Sequence, residues 1–220
     1  MNLFDFIKTA LLGSIALFPL IDPIGSSILS NPLLEGLTGA ERAGAARQVA
    51  IYCLLICLVT MVAGTYVLQF FGLSIPVVQI GGGILMCRQS WQMLSVDLDV
   101  RASKETVLQN AAAAEKSLFY PIAFPVMIGP ETIAGLLTLS AHSANRDKAI
   151  FLTNLSALAV AIFIICTLIY VCVARTPWLI HLLGEKGEKI VNQLSAFLFF
   201  CVGIQIAQTG LFRIVQEYLR

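Results

Sequence analysis

Two short motifs place polar, helix-breaking residues inside otherwise apolar sequence. The first is Asp22-Pro23-Ile24-Gly25, followed by Ser26 and Ser27; the second is Gly129-Pro130-Glu131-Thr132. Pro suits the first position of a helix, and Asp or Gly just before it suits the cap. Each motif therefore reads as the end of one half-helix and the start of another. The second half-helix directs free N–H groups and a positive dipole end at the break, and the first leaves free carbonyls. A pair of such breaks can hold a zwitterion, its carboxylate on N–H groups and its ammonium on carbonyls. Asp22 and Glu131 are the acids expected near the membrane midplane, where carboxylates are costly and usually functional. They read either as an ammonium partner or ion-coupling site, or as simple helix caps. Ser26, Ser27 and Thr132 follow in the first turns, with hydroxyls for backbone or substrate. The substrate-binding candidates are thus Asp22, Pro23, Ile24, Gly25, Ser26, Gly129, Pro130, Glu131 and Thr132. Gln205 joins them, because with Gln208 at i+3 it forms a polar pair in the last apolar run.

Other reactive residue types carry less. Arg88 follows an apolar run and reads as snorkelling to the interface rather than as a counter-ion for the acids. Cys53 and Cys57 share a helix face, but no His or further Cys clusters with them. All six cysteines fall in apolar runs and read as small hydrophobes. Gln79, Asn154 and Gln193 suit interhelical hydrogen bonds, and Gly13 and Gly81-Gly82-Gly83 suit close helix packing. His142 and His181 lie in connections without obvious partners. No phosphate loop, nucleophile elbow or metal-ligand spacing occurs, so no enzyme activity, metal or cofactor is expected.

The elements that must position these motifs are membrane helices. Of 220 residues, 58% are hydrophobic and only 12% charged, about half the charge density of a soluble domain. Mean hydropathy is +0.85. Such a surface faces lipid, and the near-neutral balance offers no nucleic-acid tract. A bilayer core of ~30 Å needs ~20 apolar helical residues. Spans are expected over about 9–34 (broken), 50–72, 75–95, 118–141 (broken), 149–174 and 190–212. Residues 9–21 read as a retained span, not a signal peptide, because Asp5 offsets Lys8 and the first motif follows instead of a cleavage site.

The fold class expected is an all-α membrane protein of six transmembrane helices in two inverted three-helix repeats, 1–110 and 111–220. The first and fourth helices are broken at the Pro/Gly motifs. Three spans per repeat is an odd number, so the second copy enters from the opposite side, and paired broken helices point to a midplane site. Gly203-Ile204-Gln205 echoes Gly83-Ile84-Leu85. Eight Lys and Arg fall in the connections on one side and five on the other. The connections 35–48, 97–116 and 175–189 are therefore expected to be cytoplasmic and both termini periplasmic.

At these motifs the sequence resembles the MarC family, also called the small neutral amino-acid transporter (SnatA, NAAT) family. The family pattern has Asn-Pro-[Ile/Val]-Gly in the first span and Gly-Pro-Gly-[Ser/Thr/Ala]-Ile in the fourth. Phe71-Gly72-Leu73-Ser74-Ile75-Pro76, Gly82-Gly83-Ile84 and Gly203-Ile204-Gln205 are also similar, and the resemblance covers essentially the whole chain. It implies a bacterial inner-membrane secondary transporter, exporting small neutral amino acids such as alanine or glycine; proton or sodium coupling is a separate expectation that rests on the two acids. Two residues depart from the pattern: Asp22 stands where Asn is usual and Glu131 where Gly is usual. Paired added acids bear on substrate charge and ion coupling. The competing readings are a channel or exporter for another solute and a non-transporting membrane subunit. The sequence leaves oligomeric state open.

Overall fold

The computed structural model describes residues 3–95, 118–142 and 148–219. The connection 97–116 and the boundary between the two expected repeats lie outside these residues. The described chain runs as α1 (Leu3–Ile21), α2 (Pro23–Ser30), a 3-10 turn (Asn31–Leu34), α3 (Gly39–Phe70), α4 (Ile75–Ser95), α5 (Leu118–Met127), α6 (Pro130–His142) and α7 (Lys148–Tyr218).

Local chemistry sets these bounds. α3 starts well before the expected residue 50, because Thr38 and Glu41 form a reciprocal capping box. The Thr38 N–H donates to Glu41 Oε2 at 2.9 Å, and the Glu41 N–H donates to Thr38 Oγ1. α5 winds in wide π-type turns, with Tyr120 and Phe124 extended. Each precedes a proline, whose ring pushes the preceding residue out of the helical region. The connection expected over 175–189 is instead helical except at Gly184, whose φ of 64° breaks α7 there. Glycine reaches that region without steric cost. Charged and polar residues outside the bilayer keep winding as helix, so loss of apolarity does not mark where a helix ends.

Among the described residues four helical stretches are long and apolar enough to cross a membrane: Phe6–Leu34, Gly39–Gly64, Phe151–Leu182 and Gln193–Gln216. The bent pair Leu118–Met127 and Pro130–Ser140 makes a fifth. The two breaks differ. Phe6–Leu34 counts as one span across the first, while the second bends by 62°. α4 forms over the expected residues but falls short of that apolarity among the described residues, because Gln79, Arg88, Gln89 and Gln92 interrupt it.

The core gathers Leu17, Val49, Cys53, Cys57, Ile122, Ile165 and Ile169. Cys53, Cys57 and Cys166 are buried in it as small hydrophobes, whereas Cys201 is exposed. Around this core α4 crosses the second half of α7 with reciprocal contacts. A Cβ on Gly83 would lie 2.5 Å from Gly203 O and 2.8 Å from Ala207 Cβ. A Cβ on Gly203 would lie 2.9 Å from Gly83 O and 2.8 Å from Cys87 Sγ. Each glycine meets the opposite glycine and the residue four positions beyond it. The two stretches that echo each other in sequence thus pack on each other. Gly83→Val is expected to force these helices apart at a cost of about 3 kcal/mol or more. In detergent the variant should lose its monodisperse peak or melt many degrees lower; an unchanged melting temperature would show that the crossing can relax.

Candidate functional site

The first break is made by Asp22. Its φ of 39° and ψ of 71° put it in the left-handed region, which Asp and Asn tolerate better than most residues. Pro23, at the first position of α2, has no N–H to give. The left-handed turn at Asp22 also carries the chain off the axis of α1, so Leu20 O and Ile21 O lose their helical donors, and hydroxyls replace them. Ser26 Oγ donates to Ile21 O at 2.9 Å. Thr132 Oγ1, from the start of α6, donates to Leu20 O at 2.9 Å. The second break thus caps the first directly. Gly135, one turn further along α6, packs against Leu20.

Both acids are buried, and each folds over a glycine. The Asp22 carboxylate lies where a Cβ on Gly25 would be, and it faces Ser195 of α7. The Glu131 carboxylate lies where a Cβ on Gly129 would be and turns back toward its own backbone N–H. Glycine at 25 and 129 is therefore required for space. Asp22 is the N-cap residue of α2; its carboxylate leans over Gly25 toward that residue's N–H without forming a well-aligned cap hydrogen bond. Asp22 Oδ2 and Glu131 Oε2 are both buried without a hydrogen-bond partner. Burying such an atom is costly unless something supplies a donor.

A cavity of about 20 Å³ lies between the breaks, lined by Leu20, Ile21, Ser26, Met127 and Glu131 with Met86, Ser90 and Phe199. That is room for about one water molecule. Ser26 and Glu131 share it; Asp22 is not in its lining. Of the other candidates, Pro23, Gly25, Thr132 and Gly129 sit at the breaks, and Ile24 O accepts from Ser27 Oγ at 2.8 Å. Gln205 is exposed on the outer face of α7 and is not brought to the breaks. Arg88 is likewise exposed and does not face the acids.

Two polar residues matter more than their sequence suggested. Gln79 is almost fully buried; its Nε2 donates to Thr138 Oγ1 at 2.9 Å, and its Oε1 is a third unpartnered buried oxygen. Arg42 counted in the sequence only toward topology. It is buried, and its guanidinium donates to Val173 O at 3.1 Å, Leu34 O at 3.4 Å and Asn31 Oδ1 at 2.6 Å. Pro177 signals one of these acceptors, because a proline leaves the carbonyl four residues earlier without its helical donor.

Known proteins resemble this chain along its whole length. The family model described as "MarC family integral membrane protein" matches residues 7–215. Inner membrane protein MarC of Escherichia coli O1:K1 is 28% identical over 221 residues, covering 97% of this chain and 99% of that protein. The proteins of the same name from Escherichia coli strains CFT073 and K12 match at the same identity and coverage. No solved structure matches the chain.

Proposed function

The chain belongs to the MarC family of integral membrane proteins, and from that premise we propose that this multi-pass inner-membrane protein is a secondary transporter. It moves small neutral amino acids such as alanine or glycine, in the export direction, through a midplane site between its two broken helices. The observation that carries this reading is the pair of buried carboxylates at contacting breaks, each with an oxygen lacking a donor. A substrate ammonium, a proton or a sodium ion supplies what those oxygens lack. The helix start beside Glu131 suits the substrate carboxylate, and there Glu131 competes for the same N–H groups. The cavity is smaller than any amino acid, so binding requires the broken helices to separate. The reciprocal Gly83–Gly203 crossing supports the inverted two-repeat reading of six spans, with α4 as the third. The positive-inside count supports periplasmic termini.

The test is transport by the purified protein in proteoliposomes against a panel of amino acids. Saturable uptake with counterflow of alanine or glycine is expected, faster with an imposed proton or sodium gradient. Flux that rises linearly with concentration would replace the carrier with a channel. No flux of any amino acid would sink the substrate assignment.

A further inference from the structure

The last span leaves a regular seam of side chains uncovered. Only 17% of the 18-residue apolar stretch within Gln193–Gln216 is buried inside the protein. Leu194, Cys201, Gln208 and Val215 are all exposed. They recur every seven residues and so form one line along the helix. Gln205 and Phe212 are exposed on one flank of that line, three residues before and four after Gln208. These are the a and d positions of a heptad, with two amides at the middle of a membrane span. A span that met only lipid would have no reason to place amides there. Polar side chains at that depth face protein or a wet cavity, because hydrocarbon offers them no partner.

We propose that this face of α7 is a homodimer interface, in which a second copy of the chain packs its own last span in parallel about a two-fold axis. A second copy fits because the seam is self-complementary. A glutamine amide carries both donor and acceptor, so Gln208 and Gln205 each satisfy their own copies across the axis. Leu194, Phe212 and Val215 supply apolar knobs to either side. A polar pair at the centre of such a seam also fixes its register. The seam lies on the face of the helix opposite Gly203, whose contacts are with α4, so dimerisation leaves the α4 crossing and the breaks untouched. Gln205 thereby takes a role distinct from substrate binding.

The native Cys201 reports the geometry. At a d position it faces its copy across the axis, within the Cα separation a disulfide allows. Cys87 is the neighbouring thiol in the same chain and is replaced by Ser to prevent competition. In native membranes, oxidation of Cys87→Ser with copper-phenanthroline is expected to give a reducible dimer band, lost in Cys87→Ser/Cys201→Ala. Single-molecule photobleaching of fluorophore-labelled protein in dilute liposomes is expected to show two-step traces. Gln205→Leu/Gln208→Leu should weaken the dimer about tenfold, since each interhelical amide bond in a membrane makes a modest contribution and two are lost together. One-step traces at every protein density would overturn the proposal even if the cross-link formed. Wild-type dimerisation in the double leucine variant would overturn the role of the amides.

Discussion

Glu131→Gln is expected to lower transport in proteoliposomes at least tenfold while leaving the fold intact. Gln matches Glu in shape, so it still lies over Gly129, where no bulkier arrangement fits. What it loses is charge, and its amide presents donors where the unpartnered Oε2 now waits for one. A substrate ammonium or coupling ion would then meet no anion. The effect should appear as a raised KM if the carboxylate binds substrate equally throughout the cycle. It should appear as a lowered maximal rate if the acid carries a coupling proton. Asp22→Asn is expected to fold as well as the parent, because Asn tolerates the left-handed region and caps helices as Asp does. Its transport defect should be smaller, since Asp22 faces Ser195 and lies outside the cavity that Glu131 lines. The double variant should be no faster than Glu131→Gln. Assays between about pH 5.5 and 8 separate a proton carrier from a binding group, because only the former loses its pH dependence. Unchanged rates and profiles in all three would leave the acids as backbone fixtures.

The breaks were legible in the sequence because proline removes a specific donor and so marks a specific residue. Pro23 and Pro130 each open a helix, and the left-handed Asp22 precedes the first. The two breaks, paired in the sequence, also meet in the structure, where Thr132 reaches Leu20 O. Gly81-Gly82-Gly83 signals close helix packing, but that the partner is Gly203 is visible only in the structure. Other features left no such trace. The 62° bend at the second break left none, because Gly129-Pro130 marks where the helix stops but not the angle at which the next one leaves. The helical run through 175–189 was read as a connection because hydropathy reports solvent, not backbone conformation. Gln205 reads as a substrate-binding candidate in the sequence because an amide in a span signals a partner without saying on which side it lies. α4 shows the reverse problem: Gln79 lowers its apolarity because that side chain is buried against α6 rather than facing lipid.

Loss of Arg42 is expected to damage the fold about as much as Gly83→Val does. A buried guanidinium is tolerable only when its donors are used, and here three acceptors from two elements take them. Asn31 and Leu34 belong to the turn that carries the chain out of α2. Val173 belongs to the proline-kinked stretch of α7, where Thr176 Oγ1 also donates to the freed carbonyl at 3.1 Å. The arginine, near the start of α3, ties the exit from the first broken span to the packing of α7. Arg42→Ala removes all three bonds and leaves Leu34 O and Asn31 Oδ1 without that donor. Bonds to a charged donor contribute about 1.5–3 kcal/mol each, offset in part by the relief of burying the charge. The net cost is about 3 kcal/mol, which lowers the melting temperature in detergent by roughly 10 °C. Arg42→Lys keeps the charge but offers a point donor that cannot span three carbonyls, so it should recover less than half of the loss. A melting temperature within a degree of the parent for Arg42→Ala would show that water or lipid headgroups replace the arginine at no cost. If instead stability falls and transport falls with it under conditions where the variant stays folded, the clamp sets the position of the first break, because α2 leads directly into the turn that Arg42 holds.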